Sequence, residues 1–322
     1  MQINWLSILR GWVVILVIIN HISPNVDASG GAMGILHELN VVFKFRMPLF
    51  FFISGFLLYY TKIRKDSPFG NIIKERIPRI VCPYLFFTLA VFCVKLILSS
   101  YVKRPVTFSF SSILNIFLYP DTNPWEIFWF LNVVLIFFLL YPILKYSLKN
   151  KYFLLFTGFT CLGLNLFYPT DIYLLDLSTV ARYLIFFYFG ILFSKYELQK
   201  YLKGKQIGLE LFAIFILSLF FDYNNLLHSF SGICISVHFA LVCSEKMPNL
   251  FSSFRNYYYQ IYLLGTFFQA AVLQMHTKIG NSYILLLAYC FFSALSGIYA
   301  PVIIGKIIRK LQWKPLMKVV GF

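Results

Sequence analysis

Two residues in the first apolar run have side chains that do chemistry. The run Asn4–Ile22 reads NWLSILRGWVVILVIINHI and carries Arg10 and His21 among aliphatic residues. Eleven positions separate them, three helical turns plus about 20°, so on a helix both project from one face. At 1.5 Å per residue they stand roughly 16 Å apart along the axis, about half the hydrocarbon thickness of a bilayer. An imidazole can take and return a proton near neutral pH, and a guanidinium holds anionic oxygens. Charge on a spanning helix is costly and usually faces a bundle interior or a wet cavity. Each residue also has a structural reading. Arg10 is close enough to the chain start to snorkel to the headgroups, and His21 beside Asn20 can cap a helix that breaks at Ser23-Pro24.

A second pair, Arg76 and Arg79, lies in KERIPRIVCPY. Their i, i+3 spacing puts both guanidiniums on one helical face at a membrane boundary. Two converging forks suit a phosphate or pyrophosphate, and equally they suit a topological anchor. The cysteines show no C-x-x-C or metal-ligand spacing, and no metal is expected. The six cysteines all fall in or beside apolar runs and read as reduced packing residues.

Composition sets the elements that hold these groups. The chain has 322 residues, 60% apolar, 20% aromatic and only 12% charged, against about 25% charged in a soluble domain. This describes an all-α polytopic membrane bundle in a single domain, 1–322, whose first apolar run is retained as a span rather than cleaved. About ten spans are expected, near 5–22, 42–60, 80–99, 126–146, 152–168, 179–195, 207–222, 228–244, 257–275 and 283–308. The run Ile113–Tyr119 is too short to cross and reads as interfacial or re-entrant. Pro48 falls in a first turn, and Ser54-Gly55 lets a neighbouring helix approach closely.

With both termini cytoplasmic, 20 of the 28 basic residues fall inside and six outside. The net charge of +16 is then a signature of topology rather than of nucleic-acid binding. In this orientation Arg10 is nearer the inner leaflet and His21 the outer one. The outer loop after the first span holds Asp27, His37 and Glu38, and Asp121, Asp171, Asp176 and Asp222 are also outside.

The matches to a known family follow the chain in order. Arg-x10-His on the first span, then Arg46-Met-Pro-Leu-Phe-Phe-Phe-Ile-Ser-Gly-Phe-Leu57, then Arg76-x-x-Arg79 before Pro83-Tyr84, resemble the acyltransferase-3 family of membrane acyltransferases. So do Phe128-Trp129-Phe130-Leu131 and the late Tyr258-Tyr259-Gln260-Ile261-Tyr262-Leu263-Leu264. The resemblance implies a ten-helix protein of the cell membrane that transfers acyl groups, usually acetyl from acetyl-CoA, to a hydroxyl of a surface glycan or lipid-linked sugar. It implies catalytic roles for His21 and Arg10 and donor binding by Arg76 and Arg79. Arg46, Trp129 and Glu38 become candidates for the acceptor side. No cofactor is expected to stay bound, and acyl-CoA is a co-substrate. Two departures stand out, since many relatives have histidine where this chain has Arg46 and again where it has Gly265. The rival readings are a glycolipid transporter, for which no internal repeat is found, and a non-catalytic partner of a glycan synthase.

Overall fold

A computed structural model describes residues 4–22, 38–97, 106, 108–168, 170, 172–221, 225–273 and 282–321. The fold is 85% helix, with no strand among the described residues. The helices are α1 (Asn4–Ile22), α2 (Arg46–Leu58, ending in a π-turn over Tyr59–Ile63), α3 (Phe69–Glu75), α4 (Ile77–Ile97), α5 (Phe110–Leu118), α6 (Trp129–Leu139) and α7 (Tyr141–Ser147). They continue as α8 (Lys151–Leu166), α9 (Leu177–Lys195), α10 (Lys205–Phe221), α11 (Leu226–Lys246), α12 (Tyr258–Leu273), α13 (Tyr283–Leu311) and α14 (Lys314–Val319).

Local chemistry sets several boundaries. Ser109 and Asn150 cap α5 and α8, accepting from the Ser112 and Tyr152 N–H groups at 3.0 and 2.9 Å. Pro142 lies at the start of α7, and α6 and α7 meet at a 54° bend across Leu140. Outward residues are apolar along whole faces, including Phe153, Phe156 and Phe159 on α8 and Ile284, Leu287 and Phe291 on α13. Such stripes suit lipid rather than water.

Each of the ten expected intervals contains helix, but length does not confirm ten spans. Six helices are long and apolar enough to cross a membrane, or seven if the bent α6–α7 pair counts as one. Over the described residues α8, α10 and α12 have 16, 17 and 16 residues. That is about 25 Å against a hydrocarbon core of about 30 Å. The run 113–119 falls on the nine-residue α5 and its C-cap, Tyr119, too short to span.

The chain divides into two compact units, one of residues 1–50 and 197–313 and one of 51–196 and 314–322. In the first, α1 is the inner helix, packed on α11, α12 and α13, with its apolar residues buried on several sides. Trp12 fixes its rotation by donating to Ser236 Oγ at 3.2 Å and packing on Phe239. His228 joins α11 to the helical 38–42 segment by donating from Nε2 to Val42 O at 2.9 Å. In the second unit Gly55 of α2 lies directly against the Phe187 carbonyl of α9, and Gly190 of α9 against the Phe52 carbonyl. Only residues without a Cβ permit this approach, as the Ser54-Gly55 pair predicts.

Candidate active site

His21 lies in the last turn of α1, half-buried, and that turn is held from three directions. The carbonyls near a helix C-terminus lack intrahelical partners and need donors. Tyr289 of α13 supplies one, its hydroxyl donating to Ile22 O at 2.9 Å. Gln269 of α12 supplies another, Nε2 donating to Ile18 O at 3.1 Å and reaching Ser293 Oγ at 3.3 Å. Arg46, the first residue of α2, donates to the side-chain oxygen of Asn20 and to the carbonyls of Asn40 and Phe43 at 3.2 and 3.0 Å. Its guanidinium is also near enough to His21 to interact with it electrostatically. Arg46 therefore braces the turn that carries the histidine.

Gly265 lies at a close helix approach. A Cβ built there comes within 2.8 Å of the Gly297 carbonyl and 3.2 Å of Ile18. With glycine at 265 and 297, α12 and α13 close around α1, and a histidine at 265 would force them apart.

Arg10, three turns below, is half-buried. Its guanidinium lies 5.1 Å from the Tyr258 ring centroid, a cation–π contact, and its Nε is buried with no hydrogen-bond partner among the described residues. A buried donor left unpaired is costly and marks a place for an acceptor. Arg10 and His21 thus share a helix but, at roughly 16 Å, do not touch.

In the second unit, Arg76 occupies the turn between α3 and α4, just before Pro78, and donates to Thr61 Oγ1 at 2.7 Å. The buried Lys62 forms an ion pair with Glu75 at 2.5 Å, and both Arg76 and Arg79 act electrostatically on the same carboxylate. Three cations therefore converge around one carboxylate, and Arg79 is exposed to solvent. Beside them, Lys145 of α7 holds the 64–68 loop through an ion pair to Asp66 at 2.7 Å.

Of the remaining sequence candidates, Trp129 is stacked on Tyr183 at 5.8 Å and Glu38 is exposed on the 38–42 segment. Asp27, His37, Asp171 and Asp222 lie outside the described residues. Arg10, His21, Arg46 and Glu38 belong to the first unit, and Arg76, Arg79 and Trp129 to the second. Sequence reasoning missed Gln269, Tyr289 and Asn20. The signal available was a polar side chain at regular helical spacing in an otherwise apolar run.

Helices with long apolar faces, six of them long and apolar enough to cross a membrane, make this a membrane protein. A family model described as an acyltransferase domain matches residues 3–306, nearly the whole chain, and the chain belongs to the acyltransferase-3 family. No curated protein matches it, and no solved structure does. The fold and the family together define a membrane acyltransferase.

Proposed function

We propose that the protein moves an acyl group, acetyl in the first instance, from cytoplasmic acyl-CoA to a hydroxyl of a cell-surface or exported glycan. The observation that carries this reading is the α1 pair within the family match: His21 on a turn held by three hydrogen-bonding side chains, and Arg10 with a buried N–H unpaired among the described residues. The cationic cluster of Lys62, Arg76 and Arg79 suits the phosphates of CoA, and the positive-inside count puts that cluster in the cytoplasm.

His21 acts at the reacting carbon. As general base, its neutral imidazole takes the proton of the acceptor hydroxyl while that oxygen attacks the thioester carbonyl. The C–S bond breaks, and the imidazolium returns the proton to the departing CoA thiolate. As nucleophile, the imidazole instead takes the acyl group from CoA and passes it to the acceptor in a second step. Both routes end in an ester and free CoA, and the reading sets the protein in the cell membrane with both termini cytoplasmic, in line with the positive-inside count.

Mass spectrometry of surface glycans from cells with and without the protein tests the reading. The expected result is loss of an ester-linked acyl substituent in its absence. Glycans identical in both would overturn it.

A further inference from the structure

The second unit contains a cavity of about 210 Å³ that the transfer chemistry above leaves unused. It lies where α8 ends and α9 begins, beside the Pro120–Thr122 turn. Asp121, Asp176, Arg182, Tyr168, Tyr173 and Thr179 line it. Asp121 and Arg182 are exposed, whereas Asp176 is 7% exposed and takes a hydrogen bond from the Thr179 side chain.

The backbone under Asp176 is strained. Leu175 and Asp176 are consecutive left-handed residues at φ 52° and 56°, a conformation that neither prefers. It persists because Asn132 Nδ2 donates to Leu175 O at 2.7 Å and the Asp176 N–H donates to Tyr173 O at 3.1 Å. The Arg182 guanidinium lies over Tyr168 at 5.7 Å and Tyr183 at 5.5 Å, and Tyr183 stacks on Trp129. A cation and aromatic ladder therefore runs from the cavity to Trp129.

The lining narrows the ligand class. Two carboxylates and a Thr179 hydroxyl accept hydrogen bonds, one guanidinium donates them, and tyrosine faces offer stacking surface. An anionic ligand would meet two carboxylates against one cation. A calcium ion wants six to eight oxygen ligands, and no three metal-ligating side chains cluster among the described residues. The volume is below the roughly 300–1,000 Å³ of pockets for drug-sized ligands, so it holds one ring rather than a chain.

We propose that this cavity binds a single uncharged pyranose residue of a glycan through its hydroxyls. That this ring belongs to the acyl acceptor rests on the transferase reading above; the binding itself does not.

Saturation-transfer NMR on the full chain in lipid nanodiscs, without acyl donor, tests the subsite. The probes are glucose, N-acetylglucosamine, rhamnose, glucuronate and Ca²⁺. At least one neutral sugar should bind saturably and more tightly than glucuronate. Asp176→Asn should weaken it about tenfold, the loss of one charge-assisted hydrogen bond. Asp121→Asn, at an exposed residue, should weaken it in the same direction and decides the matter if Asp176→Asn does not fold. No saturable neutral sugar, binding unchanged in the variants, or a site that takes only Ca²⁺ would each overturn the proposal. Sugar binding without any acyl transfer would instead leave the subsite standing and remove the transferase reading.

Discussion

The two regions that carry the proposed chemistry are built differently. The His21 turn is enclosed by α12, α13 and the start of α2, and its backbone carbonyls receive Gln269 and Tyr289. The Arg76–Arg79 segment is open, with Arg79 and Glu75 exposed and only Lys62 buried. The contrast fits the proposed tasks. A base must keep its geometry to a fraction of an ångström, whereas phosphates need charge density and reach.

Gly265→His is the sharpest way to break the enclosed side. Its side chain meets the Gly297 backbone, which cannot move aside as a flexible side chain can. The expected outcome is little folded protein recovered from membranes, while Gly265→Ala costs about 1–3 kcal/mol by overpacking. A Gly265→His variant with normal yield and melting would show that α12 and α13 do not close as described. The open side should respond otherwise. Arg76→Gln with Arg79→Gln should weaken acyl-CoA binding about ten- to a hundredfold, with insertion intact, and lysine should restore only part because it lacks the bidentate fork. Unchanged donor affinity by titration calorimetry would return both residues to topological anchoring.

How far the sequence reached follows the same division. Arg10 and His21 were legible because charge in an apolar run has few uses, and the Ser54-Gly55 approach because small pairs have one geometry. Span count was less legible. Hydropathy marks where apolar helix occurs, but not that α8, α10 and α12 stop at 16 or 17 described residues. The Gln269 and Tyr289 contacts were illegible, being 251 and 267 residues from their acceptors in sequence. So was Arg46 as a brace, since its acceptors are an adjacent turn and a side chain on another helix.

Smaller effects refine the comparison. Gln269→Leu and Tyr289→Phe should each lower kcat about tenfold, with KM for acyl-CoA unchanged, because they loosen the turn bearing His21 and touch no donor group. A change confined to KM would contradict that role. Asp66→Asn should have the smallest effect. The Lys145 hydrogen bond holds the Asp66 carboxyl below the usual carboxylate range, so its stabilisation is present above the unfolded pKa. It disappears as pH falls through the lowered folded value. The variant should melt slightly below wild type at pH 7 and approach it once pH has fallen below the lowered folded value, where the wild-type Asp66 carboxyl is protonated in folded and unfolded chains alike. Equal melting at both would leave the pair without a stabilising role.

The most direct measurement follows CoA release and acceptor acylation by purified wild-type and His21→Gln proteins in the same lipid. Glutamine keeps a hydrogen-bonding amide but cannot shuttle a proton or carry an acyl group. The account predicts transfer reduced by about 10²–10⁴-fold, with acyl-CoA binding and melting temperature unchanged. Transfer at the wild-type rate would make His21 a helix cap and contradict the mechanism.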